Sequence, residues 1–103
     1  KYFMFIRVAL IKFPDEIKSR MFVATWNAEI ATLLEKRSKI LSVDLLNTGE
    51  GKILTIAKYA NEEDFKDTNK WLLPLTTNFI KSLNGYVESI PGELIMSWQR
   101  TNK

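Results

Sequence analysis

Residues 2–12 are apolar on both alternate sets of positions. One set is Met4, Ile6, Val8 and Leu10; the other is Phe3, Phe5, Arg7, Ala9 and Ile11. A strand that is apolar on both faces is covered on both, which predicts a central strand. Arg7 is the one exception in the run. Residues 14–37 then hold no Gly and no Pro after Pro14, and predict a long helix. Pro14 suits the first helical position, where a missing N–H costs nothing. Asp15 and Glu16 sit at the positive end of the helix dipole, Lys36 and Arg37 at the negative end. At 1.5 Å per residue the helix is about 36 Å long, enough to cover a small sheet. It carries two stripes. Phe22, Trp26, Ile30 and Leu33 form a bulky one; Ile17, Met21, Ala24, Ala28 and Ala31 form a smaller one. Either the helix is contacted on two sides, or one stripe drifts around a bent helix.

Residues 38–46 predict a second strand, Asn47-Thr48-Gly49-Glu50-Gly51 a turn, and residues 52–60 a third strand, making a hairpin. Asn61 is placed as an N-cap, with Glu62, Glu63 and Asp64 in the first turn. That helix is expected to end near residues 67–69. Pro74 is expected to start another, since Pro is poorly tolerated inside one. Leu75, Phe79 and Leu83 give the second helix a buried stripe, and Asn84-Gly85 stops it. Residues 86–90 read as extended, Pro91-Gly92 as a break and residues 93–100 as the last strand.

The order β-α-β-β-α-β predicts an α+β, ferredoxin-like antiparallel sheet with its helices on one face. The other face is then open, yet the first strand is apolar on both sides. An apolar open face is an association surface, so a homodimer packed sheet to sheet is expected. The 103 residues fit one domain. The 15 Lys and Arg against 12 Asp and Glu are scattered, which argues against nucleic acid as a partner. With no Cys and no His, thiolate chemistry, His general-base catalysis and His-ligated metal or haem are excluded. No apolar run is long enough to span a membrane. The start is interrupted by Arg7 and lacks a cleavage site, so it is not a signal peptide, and a cytoplasmic protein is expected.

FIRVALIKF running into an acidic helix start, the hairpin LSVDLLNTGEGKILTIAKYANEEDF and the closing GELIMSWQ together resemble the antibiotic-biosynthesis monooxygenase family. The similarity covers nearly the whole chain as a pattern of elements. It implies a dimeric α+β barrel. It also implies either a cofactor-free oxygenase or a non-catalytic small-molecule binder, with a pocket between sheet and helices. Where family members often carry His-Phe this chain has Asn78-Phe79, and where the third strand often ends in Trp it has Tyr59.

Cofactor-free oxygenation needs a dry aromatic pocket and donors for an enolate-like anion. Arg7, Asn69 and Trp71 are the candidate catalytic residues; Trp26, Asn27, Tyr59 and Asn78 are the candidates for holding a small aromatic substrate. No cofactor and no metal are expected. Each residue also has a plainer reading. Arg7 is too costly to bury unpaired and could pair with Asp44 or Glu88. Trp26, Tyr59 and Trp71 could be packing, Asn69 a cap and Asn27 a solvent residue. An RNA-recognition module shares the element order but needs stacking aromatics in the third strand, where KILTIAKYA has aliphatics.

Overall fold

A computed structural model of the chain describes residues 4–101. Tyr2 and Phe3, assigned above to the first strand, lie outside the described residues. The elements are β1 (Phe5–Lys12), α1 (Glu16–Thr25), a π-helical turn (Trp26–Ile30), α2 (Ala31–Arg37), β2 (Ser42–Gly49), β3 (Lys52–Tyr59), α3 (Glu62–Ser82) and β4 (Tyr86–Glu93). The strands form one antiparallel sheet in the order β2-β3-β1-β4. This is the ferredoxin-like α+β arrangement, with the helices on one face. Among the described residues, no helix is long and apolar enough to cross a membrane.

The long helix starts two residues later than expected. Asp15 is the N-cap, its Oδ1 accepting from the Lys18 N–H at 2.9 Å, so Pro14 lies outside the helix. The π-helical turn resolves the two stripes. Phe22, Ile30 and Leu34 are buried and Trp26 half-buried. They recur every fourth residue, whereas an α-helix turns every 3.6. Three α-turns from Phe22 fall about one residue short of Leu34, and a π-turn absorbs that residue. Leu34, not Leu33, therefore closes the bulky stripe. The smaller stripe is not buried: Ile17, Met21, Ala24 and Ala28 are exposed.

β2 starts at Ser42, four residues later than expected, and runs through a bulge near Asn47 to Gly49, leaving a tight turn. Gly51 has φ +79°, and a Cβ there would come within 2.9 Å of the Asp15 and Phe13 carbonyl oxygens. The hairpin tip thus docks under the start of α1, where the Phe13 N–H donates to the Gly51 oxygen at 2.9 Å.

α3 is one helix. Asn61 caps it as expected, accepting from the Asp64 N–H at 2.8 Å. It then runs through Pro74 without restarting. Pro74 and the residue four before it, Lys70, are both exposed, so the lost hydrogen bond faces solvent. Burial of Phe65, Thr68, Leu72, Ile80 and Leu83 outweighs a proline cost of about 3 kcal/mol. The buried stripe passes Leu75, which is exposed. The stop is a Schellman motif: Gly85 N–H donates to the Ile80 oxygen at 2.8 Å and Asn84 N–H to Lys81 at 2.9 Å. Asn84, at φ 58°, takes the left-handed position.

β4 runs straight through Pro91-Gly92, which is no break. Pro91 tolerates this because β4 is an edge strand. The expected last strand, residues 93–100, is therefore mostly not in the sheet. Leu94 N–H donates to the Met4 oxygen at 2.8 Å, and residues 95–101 leave the sheet as an exposed arm.

Register sorts the side chains. Phe5, Arg7, Ala9 and Ile11 of β1 share the helix-facing side with Ile53, Thr55, Ala57 and Tyr59 of β3. Val8, Leu10, Leu54, Ile56 and Ile90 lie on the open side, with Asp44 and Glu88 in the same rows. The core is the helix-facing layer, built around Phe13, Phe22, Ile53 and Ile80 at one end and Phe5, Tyr59 and Phe65 at the other.

Candidate functional site

The inward rows of β1 and β3 are apolar except at two neighbouring points, Arg7 and Thr55. Both line a cavity of about 30 Å³ between the sheet and the helices. Its wall also includes Ala9 and Ile11 of β1, Phe22, Trp26 and Leu34 of the long helix, Val43 of β2, and Leu72, Leu73, Thr76 and Thr77 of α3. Trp26 reaches it because the π-turn keeps it in phase with Phe22 and Leu34.

Arg7 does not pair with Asp44 or Glu88, which lie on the opposite face of the sheet. Among the described residues, the ion pairs are Lys52–Glu50 and Lys66–Glu62, both on the surface. Burial pushes the Arg7 guanidinium below its ordinary value, and the neighbouring Tyr59 acts weakly the other way. Burial pushes the Tyr59 phenol above its ordinary value, and Arg7 pulls it back in part. Arg7 stays protonated regardless. The cavity thus presents a partly desolvated cation with no carboxylate partner.

Thr55 is 4% exposed, and its hydroxyl has no hydrogen-bond partner among the described residues. The other wall hydroxyl with a defined partner is satisfied: Thr76 Oγ1 donates to the Leu72 oxygen at 3.0 Å. A buried hydroxyl without a partner is costly. Arg7 and Thr55 thus put two donor-bearing side chains in the wall of one small cavity. Thr55 is not among the residues that the sequence marks as candidates. The available signal was a polar residue in the otherwise apolar inward set Ile53, Ala57 and Tyr59.

The other expected site residues lie elsewhere. Tyr59 is 1% exposed, beside Arg7 and packed on Phe65, with ring centroids 5.4 Å apart. Trp71 is half-buried under Arg37, whose guanidinium carbon is 4.3 Å from the ring centroid. Asn69 is half-buried on α3, and Asn27 and Asn78 are exposed. None of these five lines the cavity. The stretch after Trp71 does, through Leu72, Leu73, Thr76 and Thr77.

No family model matches the chain. No curated protein matches it either. Its fold is shared with solved structures. One is the monooxygenase from ActVA-Orf6 of Streptomyces coelicolor, in complex with nanaomycin D. It has a TM-score of 0.77 and 12% identity, over 96% of this chain and 94% of that one. Another is a dimeric ferredoxin-like protein from an uncultured marine organism, with TM-score 0.77 and 10% identity over 98% and 95%. A third is a variant of SnoaB, a cofactor-independent oxygenase from Streptomyces nogalater, with TM-score 0.76 and 13% identity over 94% and 98%. At these identities the likeness is one of fold.

Proposed function

We propose that the chain is a homodimeric, cofactor-independent monooxygenase that binds an electron-rich aromatic or polyketide-like anion in the Arg7 cavity. One observation supports this reading: Arg7, which has no carboxylate partner among the described residues, and Thr55, whose hydroxyl has no hydrogen-bond partner among them, line the same largely apolar cavity. Two of the structures that share the fold are oxygenases, one described as cofactor-independent. Arg7 and Thr55 would hold the phenolate or enolate oxygen, and Trp26 would supply an aromatic wall. Among the described residues Arg7 is the only titratable group in the lining, and it cannot act as a base. The substrate therefore enters already ionised. The carbanion of an ionised anthrone then adds to O2, the peroxide takes up a proton, and loss of the remaining C–H proton breaks the O–O bond, so that four electrons reach O2. The ring methylene loses two hydrogens and gains one oxygen atom as a carbonyl, and the second oxygen atom leaves as water. Desolvation and the fixed donors favour the anion. A substrate of two or three rings enters by displacing the stretch of α3 around Leu73 and Thr77. Pro74 there removes one helix hydrogen bond. Val8, Leu10, Leu54, Ile56 and Ile90 give a second copy an apolar face to pack on, closing a barrel between two sheets.

A second reading, a non-catalytic homodimeric binding or interaction protein, is favoured by the small size of the cavity. About 30 Å³ holds one or two waters. Oxygen uptake with a panel of hydroxylated anthrones and quinols separates the two. The oxygenase reading expects uptake above the no-protein rate, falling about 10²–10³-fold in Arg7→Ala. Uptake at the background rate rejects the enzyme and leaves the non-catalytic reading. Sedimentation at micromolar concentration checks the dimer, and a clean monomer rejects it.

A further inference from the structure

α1 and β2 face each other across a second, larger groove of about 390 Å³. That is within the range of small-ligand sites, roughly 300–1,000 Å³. β2 is an edge strand, so the groove lies at the margin of the sheet, and it shares no lining residue with the Arg7 cavity. Its surface is mostly apolar, through Val23 and Ala24 of α1, Leu45 of β2 and Ile53 of β3. Val23 and Ala24 are exposed although apolar, because no element of the chain covers this side of α1. Chain direction gives the groove two ends. The hairpin tip docks under the start of α1, so β2 runs toward that start while α1 runs away from it. Arg20 and Asn47 are therefore at the same end, and Ala24 and Leu45 lie away from it.

We infer that this groove binds a small amphipathic carboxylate, with its head between Arg20 and Asn47 and its apolar body along Val23, Ala24 and Leu45. The polar end offers donors and no acid. Among the described residues no Asp or Glu lines the groove, and the ion pairs are Lys52–Glu50 and Lys66–Glu62, so Arg20 has no carboxylate partner. Asn47 Oδ1 accepts from the Gly49 N–H at 2.9 Å, which leaves the amide N–H groups for another acceptor. The remaining polar side chain, Ser19, spends its proton on the Glu16 oxygen at 2.8 Å. A guanidinium takes a carboxylate in a two-pronged contact, and the amide adds a further donor. Length sets the body. Arg20 to Ala24 spans about 6 Å of helix, and Asn47 to Leu45 about 7 Å of strand. Octanoate and phenylpropionate have bodies of about that length. This site is separate from the Arg7 cavity and does not depend on the reading given to it.

An amide NMR titration of the full chain with octanoate reads both the affinity and the place. Acetate supplies the head alone, and octylammonium the same body with the opposite charge. Octanoate should shift the amides of residues 19–24 and 45–47 and bind about tenfold or more tighter than either control, the size of one charge-assisted hydrogen bond. Arg20 and Ala24 are exposed, so Arg20→Gln and Ala24→Phe leave the fold intact, which a thermal melt checks. Arg20→Gln should weaken octanoate about tenfold by the same measure. Ala24→Phe, which fills the apolar end, should also weaken it, and Arg7→Met should leave it unchanged. Octylammonium binding as tightly as octanoate, or Arg20→Gln binding octanoate as the parent does, overturns the carboxylate site. Shifts confined to the open sheet face or to the Arg7 cavity, or no shifts at millimolar octanoate, overturn it as well.

Discussion

Replacing Thr55 by Val should make the protein more stable and its site worse. The substitution keeps the β-branched shape and exchanges a hydroxyl for a methyl. In this fold the hydroxyl is buried and partnerless among the described residues. Such a group costs about 1–3 kcal/mol in mutational data. The adjoining cavity of about 30 Å³ has room for a water, which would return part of that at an ordering cost of up to about 2 kcal/mol. The net gain expected for Val is therefore about 1 kcal/mol. For a chain of this size that raises Tm by roughly 4–8 °C. Thr55→Ser is the control: it keeps the hydroxyl, deletes a buried methyl and should lower Tm. Differential scanning calorimetry of the three proteins at pH 7 decides the matter. If Val lowers Tm as much as Ser does, the hydroxyl is satisfied in the native protein and is not held in reserve for a ligand. A stabilised Val protein that binds a hydroxyanthraquinone less tightly than the parent would show stability given up for function.

Gly85→Ala should cost about 1–3 kcal/mol in chemical denaturation, because a Cβ would meet the Phe13 ring at 2.7 Å and Ile80 at 2.8 Å. Gly92→Ala, with nothing within 4 Å, should differ far less from the parent, and equal losses would refute the packing account. Ala28→Leu, on the exposed side of the π-turn, should stay within about 0.5 kcal/mol of the parent by thermal melt, and a larger loss would mean that something covers the small stripe. Tyr59 has a folded pKa above its ordinary 10.0, so its contribution to stability is whole below about pH 10 and is lost as pH rises through the folded value. Melting temperature against pH should therefore fall above about pH 10, and less steeply in Tyr59→Phe; identical slopes would contradict it.

Much of this fold is legible in the sequence because its signals are local. Asn61 and the three acids after it mark a helix start whatever surrounds them, and the alternation in β3 sorts its two faces. The misreadings come from tertiary context. Pro74 reads as a break, yet it sits on the solvent face of a helix whose opposite face is deeply packed. Pro91-Gly92 likewise reads as a break, but an edge strand has no partner on its outer side to lose. The fourfold spacing of Phe22, Trp26, Ile30 and Leu34 was present in the sequence. An α-helical template splits it into a drifting stripe and assigns Leu33 in place of Leu34. Arg7 stands out as a charge in an apolar strand, but its face depends on register, and register rules out Asp44 and Glu88. Thr55 carries a weaker mark, one hydroxyl in an otherwise apolar inward set. Only the packed structure reveals that its hydroxyl is alone.

The claim that the Arg7 cavity holds an aromatic anion is tested most directly by the colour of a bound phenol. A hydroxyanthraquinone changes its visible spectrum when it ionises, so its pKa can be read in the complex and in free solution. A cation within about 4–6 Å lowers an acid's pKa by roughly 1–3 units, whereas apolar burial alone raises it. The account predicts that the bound phenol ionises at lower pH than the free one, and that Arg7→Met abolishes or reverses the shift. A bound phenol whose pKa rises in the parent protein, or falls equally in Arg7→Met, would contradict it.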